Sequence, residues 1–560
     1  MKKNFLTRLL QASLMCCLAV ILTGCDELLS ALDNPIQTTL SMTTTDVKLT
    51  VGDTYQRQAT TASPATIVYT SSDATVATVD ANGVVEAIAE GEATITASVA
   101  EVDYWTAAST SYKVIVKSAF VAATDITLDQ TMKVIKLGGD ALTITATTVP
   151  SDANYTWESD AAAIATVDET GKVTPVGVGI ATITAKSGDV KATCKIFVGN
   201  EVDLSTKTAD YPVENYDILK NTLDGSYALT IPDGYKVAFA GLTTTKTVTC
   251  SGDATIILAD GSTNTVDVSG TAYKAGIKVG PTDKTLIIDV ETAGTGKLTA
   301  KGGGFAAGIG TNVNSTGGNI VINGGTVTAT GGSDAAGIGT GVSDPTNTCG
   351  TITINGGTVT ATGGAWAAGI GTGYAYMSST NTCVAITING GTVTATGGAY
   401  GAGIGTGYAQ NNNSNTCGVI TINGGSVNAA GGDNGAGIGT GCADASSGDA
   451  TAECGNIIIA GGTVIATGGA YGAGIGTGVT DAPNPAKTAS QTCGAITIGT
   501  GVTSVIATKG SYAPYSIGVG YKALSGGPEN QTCGTITIGG DATTYAAGVT
   551  TSPFTYPTAP

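Results

Sequence analysis

Gly356-Gly-Thr-Val-Thr-Ala-Thr-Gly-Gly364 decides the fold. The same nine residues start at Gly324 and Gly390, and degraded copies start at Gly424 and Gly461. Each copy runs on into Ala-Gly-Ile-Gly. A unit this short cannot bury a hydrophobic face alone, so the copies must stack on one another as a solenoid. Aligned on the isoleucine, the units are marked by Ile277, Ile309, Ile338, Ile370, Ile404, Ile438, Ile475 and Ile517. Their spacing varies in one place, between Ala-Gly-Ile-Gly-Thr-Gly and the next Ile-Thr-Ile. There, polar stretches such as Tyr408 to Thr416 and Thr480 to Thr492 read as loops.

Within one unit, Ile352-Thr-Ile354, Thr358-Val-Thr-Ala-Thr362 and Ala367-Ala-Gly-Ile370 are short β segments separated by turns, with no helical period. Turns of three strands stacked about 4.8 Å apart predict a right-handed parallel β-helix, roughly 34 Å long over these units. Asn323, Asn355, Asn389 and Asn423 fall at one corner and predict an asparagine ladder. Cys349, Cys383, Cys417, Cys454, Cys493 and Cys533 form a second column. Neighbours at about 5 Å lie within disulfide reach, but in-register stacking turns their Cβ vectors away from bridging geometry. Buried free thiols are expected, with pairing between adjacent turns as the alternative. Zinc is not expected, since the chain has no histidine.

The amino terminus indicates location. Lys2, Lys3 and Arg8 precede an apolar run, Leu9 to Leu22, which is too short to span a bilayer and suits a secretory signal. It ends in Leu22-Thr-Gly-Cys25, which resembles the lipobox of bacterial lipoproteins. That resemblance implies a signal peptide over 1–24, cleavage before Cys25 and acylation of Cys25. The only membrane contact would then be a lipid anchor at a bacterial outer membrane or cell surface, with 25–38 as the linker behind it. A formal charge of −18 and a pI near 4.3 exclude nucleic acid as a partner.

Two further segments are related by a constant offset. Tyr69-Thr-Ser-Ser-Asp73 answers Trp157-Glu-Ser-Asp160, and Val76-Ala-Thr-Val-Asp80 answers Ile164-Ala-Thr-Val-Asp168. Likewise Gly91-Glu-Ala-Thr-Ile-Thr-Ala97 answers Gly179-Ile-Ala-Thr-Ile-Thr-Ala185. Short alternating strands with frequent turn signals predict two β-sandwiches, over 39–117 and 121–198. The run Trp157, Ser159, Ala165-Thr-Val-Asp168, Gly171-Lys-Val173 and Gly179 resembles the bacterial immunoglobulin-like group 2 family. The first copy departs from it at Tyr69, which stands at the Trp position, and in an insertion around Glu101 to Tyr112. The resemblance implies spacer or adhesion modules, and a spacer role is expected here.

Residues 199–300 show the strand grammar of the repeats less regularly and read as an N-terminal cap and first turns. The regular β-helix is expected over 301–545 and a C-terminal tail over 546–560. This part resembles Gly-rich β-helical repeats of bacterial surface proteins described as carbohydrate-binding, including a clostridial lipoprotein family that binds plant polysaccharides. The predicted architecture is therefore all-β, with two tandem Ig-like sandwiches followed by a parallel β-helix.

Catalytic chemistry is hard to place on this scaffold. Polysaccharide lyases and hydrolases on β-helices need basic side chains or paired carboxylates on neighbouring turns, but no arginine follows Arg57. No catalytic residue, cofactor or metal site is expected. Asp444, Asp449 and Glu453 share a loop but lack the Gly-bracketed spacing of a calcium loop.

Two surfaces offer glycan contacts instead. Four residues before each repeat isoleucine stand Tyr273, Phe305, Asp334, Trp366, Tyr400, Asn434 and Tyr471. Strand parity would turn this column into the core, whereas a turn at the Gly-Gly pair would face it outward. In the second case Phe305, Trp366, Tyr400 and Tyr471 are candidate glycan-binding residues, with Trp366 beside Tyr400 in a flat strip. Outward-pointing Thr358, Thr360, Thr392 and Thr394 form the other candidate surface. β-propensity alone explains such a hydroxyl lattice, while glycan contact or a likeness to ice-binding β-helices are further readings. The expected function is non-catalytic carbohydrate binding, of a polysaccharide or a host or plant glycan, or adhesion. A β-helix lyase or hydrolase and a purely structural stalk are the alternatives.

Overall fold

The structure, a computed structural model, describes residues 35–118, 120–292, 294–376, 378–541, 545 and 548–557. The expected signal peptide, the lipobox and Cys25 lie outside them. Apart from one 3-10 turn at Leu204–Thr206, every regular element among the described residues is a β-strand. The chain forms two compact units, one made of residues up to Ala122 with Asp152–Asn154, the other of the remainder.

The first unit is a sandwich. Val47–Thr50, Ala108–Lys117, Gly91–Val99 and Val68–Ser71 form a four-stranded sheet, and Thr54–Gln56, Val84–Ala87 and Ala77–Val79 form a three-stranded one. Alternation fixes the core: Ala93, Ile95, Ala97 and Val99 point inward from one strand, opposite Tyr112, Val114 and Val116 of the next. At the Trp position, Tyr69 uses its hydroxyl to accept the Ala59 amide at 2.7 Å.

The second unit opens with another such sandwich, whose core holds Ile144, Val173, Ile183, Ile196 and Val198 beside half-buried Trp157. Its Asp168 turn explains the pattern shared by the two copies. One carboxylate oxygen accepts the amides of Thr170 at 2.9 Å and Lys172 at 3.0 Å. Gly171 stands at φ +79°, where a Cβ would lie 2.3 Å from the Ile144 carbonyl oxygen and 2.9 Å from the Trp157 ring. Only glycine fits there.

This sandwich runs into the solenoid without a linker. The strand Val190–Asp203 pairs antiparallel with Gly179–Ser187 through its first nine residues, then parallel with Asp217–Thr222 through Asn200 to Asp203. Lys133 of the sandwich lies 3.2 Å from Asp260 and 3.4 Å from Glu291 of the solenoid. The Thr292 hydroxyl accepts the amides of Thr131 at 2.7 Å and Met132 at 2.9 Å. Phe197, Ile218, Ala238 and Ile257 share a buried cluster across the joint. The continuous strand joins this domain directly to the first turn of the solenoid as its end plate. Residues 200–300 are full turns of the same stack.

Each turn of the parallel β-helix contributes to three parallel ladders. One is built on Ile-Thr-Ile, as in Thr346–Ile354 and Thr380–Ile388, and one on Thr-Val-Thr-Ala-Thr, as in Thr358–Thr362 and Thr392–Thr396. The third is an eleven-stranded ladder of short strands, most of them Ile-Gly pairs. Register is preserved, with Ile338 on Ile370, Ile370 on Ile404 and Ile404 on Ile438. The inward residues Ile352, Ile354, Val359, Ala361 and Ile370 are all fully buried in one continuous core. At the far end, Phe554–Tyr556 lies antiparallel on Val505 to Ala507, so the last described residues close the stack where a tail was expected.

Polar columns hold the corners. Asn355, Asn389 and Asn423 each donate a side-chain N–H to the asparagine one turn below, at 2.8 Å every time. A second ladder is buried: the hydroxyls of Thr340, Thr372 and Thr406 accept the amides of Gly373, Gly407 and Gly441 at 2.8, 2.9 and 2.9 Å. Inside, the six repeat cysteines stack in register, Cys349 on Cys383 and onward to Cys533, and all are free thiols. Burial pushes the Cys349 thiol well above its ordinary pKa.

Candidate functional site: an aromatic face beside a fourth ladder

The residue four before each isoleucine lies in a turn, not in a strand. In Gly363-Gly-Ala-Trp-Ala-Ala-Gly369 the chain turns at Ala365 and Trp366, which breaks the parity that would have sent the ring into the isoleucine core. Phe305, Trp366, Tyr400 and Tyr471 are accordingly half-buried, and Tyr273 at one end and Tyr512 at the other are exposed. They rest on a second column, Val342, Tyr374, Tyr408, Cys442 and Val479, which forms a hydrophobic cluster separate from the isoleucine core. One backbone bond per turn joins the columns: Tyr374 N–H donates to the Asp334 carbonyl and Tyr408 N–H to the Trp366 carbonyl, both at 2.9 Å.

The rings interleave; they do not form the expected flat strip. Trp366 meets Tyr374 edge-on, with centroids 4.7 Å apart and planes at 74°. Tyr408 bridges Trp366, at 6.0 Å, and Tyr400, at 4.7 Å. Tyr374 and Tyr408 stack at 5.5 Å, and the exposed Tyr376 leans on Tyr374 at 5.8 Å. Such edge and offset contacts are the preferred aromatic geometries.

Polar groups border these rings. The stretches Tyr408 to Thr416 and Thr480 to Thr492, expected as loops, contain strands: Ala409–Gln410 and Thr480–Asp481 flank Ala443–Asp444 of the turn between them in a fourth, short parallel ladder. Its outward residues are Gln410, Asp444 and Asp481. The Tyr408 hydroxyl donates to Asp444 Oδ2 at 2.7 Å, Gln410 Nε2 donates to the same oxygen at 3.3 Å, and the Tyr374 hydroxyl donates to Gln410 Oε1 at 3.2 Å. Burial raises the Tyr374 pKa to about 12, helped by the nearby Tyr376, Asp334 and Asp444. Asp334 occupies the aromatic column one turn below Trp366. Loss of water around its carboxyl raises its pKa to about 6, and no ion pair or side-chain hydrogen bond reaches it among the described residues.

The threonine surface also exists. Thr358 and Thr392 are exposed, Thr360 and Thr394 half-buried, and each pair is in register. It is flat and carries no aromatic group. Asp444, Asp449 and Glu453 do not converge: Asp449 Oδ1 accepts the Thr488 amide at 2.8 Å, and Glu453 points outward from its own strand. Among the described residues no group of three or more His, Cys, Asp and Glu side chains is placed to hold a metal ion. No helix among them is long and apolar enough to cross a membrane.

Tyr374, Tyr376, Tyr408 and Gln410 escaped the sequence reading. A signal was present: Gly-Thr-Gly-Tyr recurs at Gly371 to Tyr374 and Gly405 to Tyr408, each time eight residues after an aromatic of the first column.

No curated protein matches the chain. Among solved structures, it is similar to mouse cadherin-23 EC22-24, at 16% identity and a TM-score of 0.17, covering 30% of this chain and 66% of that one. Domains 4 and 5 of the S-layer protein SbsC align at 23% identity and a TM-score of 0.12, covering 24% and 76%. Human protocadherin-24 EC1-2 aligns at 13% and 0.16, covering 30% and 99%. Scores this low carry no functional inference. The bacterial Ig-like domain (group 2) family matches residues 37–106 and 122–197, and the beta helix repeat family matches 320–342, 352–374, 386–408 and 420–442. The chain thus carries two bacterial Ig-like domains of group 2 followed by beta helix repeats, the domain content of an extracellular cell-surface protein.

Proposed function

We propose that the protein is a non-catalytic glycan-binding lipoprotein of the bacterial cell surface, held by a lipid on Cys25 and binding through the aromatic face of its β-helix. The face of Trp366, Tyr376 and Tyr400, set on the buried Tyr374 and Tyr408, supports this reading, because partly exposed rings bordered by a carboxylate and an amide suit the apolar faces and hydroxyls of sugars. A face built on rigid turns meets a ligand without first being ordered, which favours binding.

Retention of the purified protein in gels containing insoluble or soluble polysaccharides tests the reading. Tyr376→Ala removes a ring that is 41% exposed, so retention should weaken about tenfold while thermal stability stays near that of the wild type. Retention equal to the wild type would remove this face from consideration and leave the threonine surface. Release of reducing ends or unsaturated sugars during incubation would establish an enzyme instead.

The anchor has its own test. Cys25→Ala should abolish incorporation of labelled palmitate and move the protein out of the membrane fraction. Wild-type labelling of the variant would refute the anchor.

A further inference from the structure

The charge of the aromatic face narrows its ligand class, and this inference rests on the glycan reading above. Between Lys301 and Lys487 the chain carries seven carboxylates and no lysine, arginine or histidine. Three of those carboxylates belong to the face. Asp444 is held by Tyr408 and Gln410, and Asp481 follows it on the same short ladder. The third, Asp334, stands in line with Phe305 and Trp366, half-buried beside the Tyr374 ring and without a cation.

A desolvated carboxylate with no positive partner is costly to keep charged, and its raised pKa expresses that cost. An acidic glycan would add like charge at the same place. A neutral glycan would leave the carboxylate unpaired under a sugar. An ammonium would relieve it, and the half-buried Trp366 ring would attract the same group through its quadrupole.

The geometry points to a cationic amino sugar as the ligand: a glycan whose free amine sits between the Asp334 carboxylate and the half-buried Trp366 ring while its apolar ring face lies on Tyr376. Oligomers of β-1,4-linked glucosamine and of N-acetylglucosamine differ only at the 2-amino group, an ammonium in one and a neutral acetamide in the other, so the pair tests that charge. Titration calorimetry of the purified protein near neutral pH should show the glucosamine oligomer binding on the order of tenfold more tightly than its acetylated counterpart. Asp334→Asn should bring the ratio to about one, the glucosamine oligomer binding more weakly than to the wild type and the acetylated oligomer no more weakly. Since an amide is cheaper to desolvate than a carboxylate, this variant should melt no lower than the wild type.

Equal affinity of the wild type for the two oligomers, or tighter binding of an oligogalacturonate, overturns the amino-sugar assignment and leaves glycan binding standing. Failure of every glycan to bind overturns both. Oligolysine binding as tightly as the glucosamine oligomer would mean that charge alone is read, which also overturns it. A preference that survives Asp334→Asn removes Asp334 from the site.

Discussion

Gly405→Ala should separate two turns of the solenoid, although it adds only one methyl group. Gly405 has φ +137°, outside the range of L side chains, and its missing Cβ would lie 1.8 Å from the Gly439 carbonyl oxygen of the next turn. That oxygen is backbone and cannot swing aside; it also accepts the Thr406 amide at 3.0 Å. Relief therefore requires the ladder itself to open. Strained φ and forced overpacking together should cost about 2–6 kcal/mol. Hydrogen exchange should show the amides of Ile404 and Thr406 losing protection first, with the loss spreading to the turns on either side. Wild-type protection at those amides would show that the tight Gly-Gly contacts are not what seats one turn on the next. Gly371, Gly439 and Gly476 repeat the arrangement, with their Cβ positions 1.8 to 1.9 Å from the following carbonyl oxygen.

Ile404→Asp attacks the same turn from inside. Ile404 is fully buried and sits between Ile370 and Ile438, where a carboxylate finds neither water nor a cation. The change should cost about 4 kcal/mol or more, since it adds an unpaired buried charge to the loss of an aliphatic core residue. Because each turn is buttressed only by its neighbours, melting should begin around this turn and leave the two sandwiches folded. Glu453→Gln, on an exposed strand position little more than one turn further along the stack, should change stability by no more than about 0.5 kcal/mol. Comparable losses for the two variants would mean that Ile404 is not a core residue.

The β-helix was legible because its corners repeat the same residue. Asn323 to Asn423 and Cys349 to Cys533 keep one identity per column, so stacking could be read from spacing alone. The second aromatic column was less legible for the opposite reason: Val342, Tyr374, Tyr408, Cys442 and Val479 share a place, but only the two tyrosines share an identity from one turn to the next. The direction of Trp366 also lay beyond a parity argument. Two residues of turn after Gly363-Gly364 reset the alternation, and nothing in the composition of Gly-Gly-Ala-Trp distinguishes that turn from a continuing strand. Asp334 looked like a break in an aromatic column; only its half-buried, cation-free surroundings make it a candidate binding group. The sandwiches could be recognised residue by residue, yet the fusion of the second one to the solenoid could not, since Val190–Asp203 reads as one ordinary strand until its partners on both sides are known.

Both ends of the solenoid are shut, by the Asn200 to Asp203 segment with its sandwich below and by the reversed strand Phe554–Tyr556 above. An open parallel ladder would recruit further copies of itself, and these strands cover part of that edge against fibre growth. They also make length an inheritable variable. Because the turns between them are interchangeable in register, a duplication or loss of one whole repeat would lengthen or shorten the aromatic-bearing face by one step while both ends stayed as they are. Descendants of such a gene could change reach and valency without having to solve the folding problem again.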